Sequence, residues 1–133
     1  MKTLYQVFVN GVPKAQPRPR MTAKGHAYNP GSADAWKDAV CAEFLSCRRG
    51  SPIAHPVRLG VRFFLPYPAR AKGKERDEPH AKKPDLDNLL KAVMDAMSMA
   101  GVWEDDSRVY ETAASKWQTG GKIGAQITVE TIF

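Results

Sequence analysis

The sequence predicts a small α/β domain of the α+β type, with a mixed four-stranded sheet and two helices in the order β-α-β-α-β-β. Three observations predict it. Residues 57–65 alternate apolar and polar side chains with period two, and residues 123–132 do the same after a glycine turn. Two stretches, 33–47 and 86–100, instead repeat their apolar residues at helical spacing. The chain has 133 residues, 43% of them hydrophobic, which suffices for one core but not for two independent ones, so residues 1–133 read as one domain.

The elements follow in order. Residues 4–9 (LYQVFV) are rich in β-branched and aromatic side chains and run into Asn10 and Gly11, a strand ending at a turn. Residues 11–31 hold four prolines together with Lys14, Arg18, Arg20, Lys24 and His26, and read as an irregular basic surface loop. Ser32 is placed to cap a helix on which Trp36, Val40, Phe44 and Cys47 share a buried face, and Gly50 follows its end. In the strand that comes next, Val57, Leu59, Val61, Phe63 and Leu65 face the core, and Arg58 and Arg62 share the other face, either solvated or against a polyanion. Residues 66–84 have no hydrophobic period and form a second basic surface loop.

Pro84 disfavours helical geometry at Lys83, and Asp85 is placed to cap a second helix. Its core face is expected at Leu86, Leu90, Val93 and Met97, with Asn88, Lys91 and Asp95 on another face and Asp87 four residues before Lys91. Gly101 ends it. A strand is expected over 108–117, a hairpin turn at 119–122, and a last strand over 123–132 with Ile123, Ala125, Ile127 and Val129 inward.

Composition excludes several functional classes. No apolar run approaches the roughly 20 residues of a membrane span, and the N-terminal residues lack the pattern of a secretion signal, so the expected location is the cytoplasm. Cys41 and Cys47 lie six positions apart on one helix, roughly 9 Å at the usual helical rise, beyond disulfide reach. No CxxC occurs and His26, His55 and His80 are scattered, which excludes a thiolate zinc site. No nucleophile triad or phosphate-cradling glycine loop is present, and no small-molecule cofactor is expected.

The charge is unevenly distributed. The formal net charge is +6, yet seven of the fourteen carboxylates fall between Asp85 and Glu111, where Lys91 and Arg108 are the basic residues. A basic body attracts polyanions, nucleic acid above all. In the first loop Arg18, Arg20 and Lys24 suit phosphate contacts and Tyr28 suits stacking on a base or sugar, while Lys82, Lys83 and Asn88 flank the acidic stretch. Each carboxylate has a bland explanation: Asp85 as a helix cap, Asp87 as a partner of the helix dipole, Asp105 and Asp106 as turn residues. Brought together they would repel one another and any phosphate. A hard divalent cation, held by oxygen ligands, resolves that conflict and supplies the chemistry of phosphodiester hydrolysis.

These residues also carry a resemblance. The run KPDLDNLLKAVMDAM, followed after a glycine by VWEDDSRV, resembles the RusA family of Holliday junction resolvases, and PKAQPRPRM with AYNP is similar to the N-terminal loop of its phage-type branch. The resemblance implies a homodimeric, magnesium-dependent endodeoxyribonuclease, with manganese able to substitute, that cuts four-way DNA junctions by paired symmetric nicks in a bacterial or phage setting. It implies that Asp85, Asp87 and Asp106 are the essential carboxylates and metal ligands, that Lys91 is the catalytic lysine, and that Asn88 and Asp105 match the motif, Asp105 as a further candidate ligand. The other reading of the composition is a non-catalytic basic nucleic-acid-binding module whose acidic patch meets a partner protein.

Overall fold

The computed structural model describes residues 1–17, 20–28, 31–69 and 76–133. Strand β1 (Lys2–Asn10) leads into the first loop, which is less irregular than expected: two-residue strands β2 (Arg20–Met21) and β3 (Ala27–Tyr28) pair as a small hairpin. Its turn closes through the Thr22 amide donating to the His26 carbonyl (2.8 Å). Arg18 lies outside the described residues, as do the side chains of Arg20 and Tyr28.

Helix α1 (Asp34–Cys47) buries Trp36, Val40 and Phe44 as the spacing predicts. The expected cap at Ser32 is not formed; Ala33 occupies the cap position, with no side-chain cap bond. Strand β4 (Val57–Pro66) buries Val57, Leu59, Val61, Phe63 and Leu65. After a two-residue strand β5 (Glu78–Pro79) come helix α2 (Leu86–Met99), a single 3-10 turn (Asp106–Arg108), strand β6 (Val109–Thr119) and strand β7 (Gly124–Thr131).

The main sheet therefore has five strands rather than four, in the order β1-β7-β4-β6-β5. β4 and β6 are parallel and the other neighbours antiparallel. The α+β class stands, and the added strand is β5, at the edge beside β6. Two residues ending in proline have no readable period, and the pairing of Glu78 with Gln118 and of Pro79 with Trp117 is imposed by β6.

The core lies between one sheet face and both helices, joining Leu59, Phe63, Ile127 and Val129 to Phe44, Leu89 and Val93. Each such side chain contributes about 1.5–3 kcal/mol by leaving water. On helix α2 the buried residues are Leu89, Ala92, Val93, Ala96 and Met97. Leu86 and Leu90, expected in the core, are half-buried at its margin. The buried stripe is rotated onto Leu89, Ala92 and Ala96, which leaves Leu86 and Leu90 at the edge.

On the other sheet face, Arg58 pairs with Glu111 (2.9 Å) and Glu130 (3.0 Å). The Arg62 guanidinium sits 5.6 Å from the ring centre of Phe64 and 5.7 Å from that of Trp117. Both arginines thus have partners within the sheet. Among the described residues no helix is long and apolar enough to cross a membrane.

The second loop is pinned at both ends. The Tyr67 hydroxyl donates to the Arg76 carbonyl at 2.8 Å, and β5 lies against β6 just beyond it. The His80 amide continues that pairing by donating to the Lys116 carbonyl (3.1 Å).

Candidate nuclease site

The connection from β4 to the parallel strand β6 must cross over the sheet, and α2 is the helix of that crossover. Its two ends carry the acidic clusters. At the first end, the Lys116 ammonium on β6 donates to the carbonyls of Lys82 and Pro84, the latter at 2.6 Å. That clamp fixes the chain just before Asp85, which occupies the N-cap position of α2 without making a side-chain cap bond. Its two carboxylate oxygens are held instead by the Lys83 ammonium at 2.9 and 3.0 Å.

At the other end, α2 stops in a double turn. Gly101, at φ 73°, donates its amide to the Ser98 carbonyl, and Val102 donates to the Met97 carbonyl, the pattern that glycine permits after a helix. Trp103 is then wholly buried, its indole N–H donating to the Ser98 hydroxyl at 2.7 Å. Ile53 brackets it, donating its amide to the Val102 carbonyl and accepting from the Glu104 amide, each at 3.0 Å. The segment that delivers Asp105 and Asp106 is therefore fixed by buried contacts although both residues are themselves exposed.

These supports bring Asp87, Lys91 and Asp106 to one cleft of about 260 Å³, whose remaining walls are Gln16, Leu90, Met94 and Asp95. Asp95 is paired with Lys37 of α1, a bond that ties the two helices together and neutralises one wall. Asp87, Lys91 and Asp106 form no ion pair among the described residues. Asp105 behaves differently from its neighbour. Its carboxylate accepts the Ser107 amide at 3.0 Å and caps the 3-10 turn, and those hydrogen bonds from Ser107 lower its pKa. The turn thus separates two adjacent aspartates, one serving as a cap and the other lining the cleft.

The donors suit a hard divalent cation. Magnesium takes oxygen ligands and uses one or two protein carboxylates while keeping several waters, which Asp87 and Asp106 satisfy. The buried Gln16 Oε1 has no hydrogen-bond partner, as befits a cleft whose missing component is a donor or a cation. Among the described residues, no three His, Cys, Asp or Glu side chains come close enough to hold an ion by themselves. Asp85 does not line the cleft.

Of the nucleic-acid candidates, Lys24, Lys82 and Lys83 are exposed, and Asn88 is half-buried, its carbonyl accepting the Gln16 amide at 2.9 Å. Sequence reasoning missed Gln16 and Lys116, because a neutral amide in a proline-rich loop and a lysine in a strand have no chemical signature until the fold places them. A second hollow, about 390 Å³, opens on the opposite sheet face. It has no unpaired carboxylate, since Arg58 holds its Glu130.

Comparison with known proteins identifies the family. The family model described as endodeoxyribonuclease RusA matches residues 10–130. The chain is 30% identical over 120 residues to the uncharacterized protein YqaN of Bacillus subtilis (strain 168), covering 82% of this chain and 84% of that one. It is 28% identical over 107 residues to the crossover junction endodeoxyribonuclease RusA of Escherichia coli (strain K12), covering 79% and 78%. The corresponding protein of Aquifex aeolicus (strain VF5) is 25% identical over 105 residues, covering 79% and 73%. A match across nearly the whole domain, joined to an acidic cleft at the ends of one crossover helix, places this chain in the RusA endodeoxyribonuclease family.

Proposed function

We propose that the protein resolves four-way DNA junctions by metal-dependent hydrolysis, with magnesium as its ion and manganese able to replace it. The observation that supports this most is the meeting of Asp87, Lys91 and Asp106 in one cleft from opposite ends of the crossover helix. Asp87 and Asp106 would hold the ion, and Asp85 would join them by leaving Lys83. When bound, the ion supplies charge neutralisation at the phosphate and activation of the attacking water.

The other roles belong to the chain itself. Lys91 donates to a phosphate oxygen and offsets the charge that builds there as the bond breaks. Asp95 is kept out of that field by Lys37. Exposed Lys24, Lys82 and Lys83, with Arg18, Arg20 and Tyr28 of the first loop and Asn88 beside the cleft, grip the junction arms. Because a four-way junction has two-fold symmetry and needs two symmetric nicks, the working form is a homodimer in the cytoplasm. Sedimentation checks this: a species that stays monomeric at micromolar concentration, alone and with junction, contradicts the dimer.

The test of the activity is incubation of purified protein with a labelled synthetic four-way junction, with Mg2+ or with EDTA. Paired nicks that require the metal are expected. Binding with no metal-dependent nicking would refute the enzyme and leave a silent DNA-binding module.

A further inference from the structure

We infer that Gln16 is a positioning residue of the site, its side-chain oxygen holding the Lys91 ammonium toward the phosphate; this rests on the nuclease reading above. The backbone at Gln16 is fixed independently of its side chain. Ala15 packs against the core, and the Gln16 amide donates to the Asn88 carbonyl at 2.9 Å, one helical turn before Lys91. The side chain is thereby committed to the cleft wall.

There its Oε1 is buried and has no partner. A buried carboxamide oxygen without a donor is costly, and such an atom at a functional site points to a group that arrives when the site works. The other side chains lining the cleft narrow the identity of that group. Asp87, Asp95 and Asp106 are acceptors, Leu90 and Met94 are apolar, and Lys91 is the one among these six that carries a donor. Lys91 is exposed and makes no ion pair among the described residues, so its ammonium is not committed to a carboxylate. A phosphate entering between Asp87 and Asp106 draws the ammonium inward, and Gln16 Oε1 accepts one of its three N–H groups while another reaches the phosphate. A neutral acceptor suits this task because a carboxylate there would compete with the phosphate for the same cation.

The test compares wild type, Gln16→Met, Gln16→Leu and Gln16→Glu by single-turnover cleavage of a four-way junction at saturating Mg2+, and by junction affinity in EDTA. Gln16→Met and Gln16→Leu remove the oxygen with two different shapes, so a folding defect peculiar to one does not decide the result. Both should cleave about 10- to 100-fold more slowly, the effect of losing one hydrogen bond to a charged group, with affinity within about twofold of wild type. Gln16→Glu keeps an oxygen acceptor but adds a charge that competes with the phosphate, so it should cleave more slowly than wild type and faster than both the Met and the Leu variant. Wild-type cleavage by the Met and Leu variants overturns the inference, as does an equal fall in all three variants or a parallel loss of rate and affinity. A wild-type protein that never nicks the junction refutes the nuclease reading itself and is seen before any variant is compared.

Discussion

Replacing Lys116 by methionine should damage the nuclease site from a strand that does not line it. The Lys116 ammonium donates to the carbonyls of Lys82 and Pro84, and so holds the chain leading into Asp85 and the start of α2. Methionine keeps most of the stem and removes both bonds. A hydrogen bond to a charged group contributes about 1.5–3 kcal/mol. The Lys82 carbonyl is exposed and water replaces its donor, whereas the Pro84 carbonyl is partly buried and loses more. The net loss comes to about 2 kcal/mol. For a domain of this size that lowers Tm by about 6–10 °C. Because a displacement of about 1 Å in a catalytic group costs about 100-fold, single-turnover cleavage should fall by more than the stability loss alone explains. Thermal melts and cleavage of a labelled junction at a temperature where the variant is fully folded measure the two effects separately. Lys122→Met, which removes a lysine 4.2 Å from the Phe8 ring, controls for loss of one positive charge. If Lys116→Met melts within about 2 °C of wild type and cleaves as fast, the clamp does not position the site.

Three further outcomes follow from the same structure. Asp87→Asn should reduce cleavage at least about 100-fold yet keep or tighten junction binding, since it removes a candidate ligand and lessens repulsion of phosphate; wild-type nicking would return Asp87 to a structural role. Ser98→Ala orphans the buried Trp103 indole N–H and should cost about 1–3 kcal/mol, read as a lower denaturation midpoint with unchanged slope. His80 has its pKa lowered from 6.5 by burial and by the nearby charges of Lys116 and Lys82. The unfolded chain therefore takes up that proton more readily than the folded one, and stability falls as pH drops below about 6.5. A His80→Gln variant should lose less Tm than wild type between pH 7 and 5, and equal losses would remove His80 as a contributor.

The sequence made some parts of this molecule legible and hid others for identifiable reasons. Strand β4 was readable because its two faces meet different environments, which imposes a period of two. Strand β5 was not, because two residues carry no period and their pairing is decided by β6. On the core face of α2, Val93 and Met97 are buried as their spacing implies, whereas the packed stripe takes Leu89, Ala92 and Ala96 and leaves Leu90 at the cleft. The acidic residues were legible because carboxylates in that density conflict with a basic body. Their sorting was not: whether Asp105 or Asp106 faces the cleft depends on the cap at Ser107. The partner of Asp95 is Lys37, on a different helix, and only the packing of α1 on α2 brings them together.

The staple at the base of the second loop bears on how such an enzyme can diversify. With Tyr67 tied to Arg76 and β5 laid against β6, the path from β4 to the site is divided into a closed outer loop and an anchored inner segment. Residues added to the outer loop lengthen a circuit whose ends are already joined, and each doubling of its length costs only about 0.6 kcal/mol. The fold thus separates a part of the chain whose length can change at little cost from the part that carries Asp85 and Asp87, and the boundary between them is a two-residue strand.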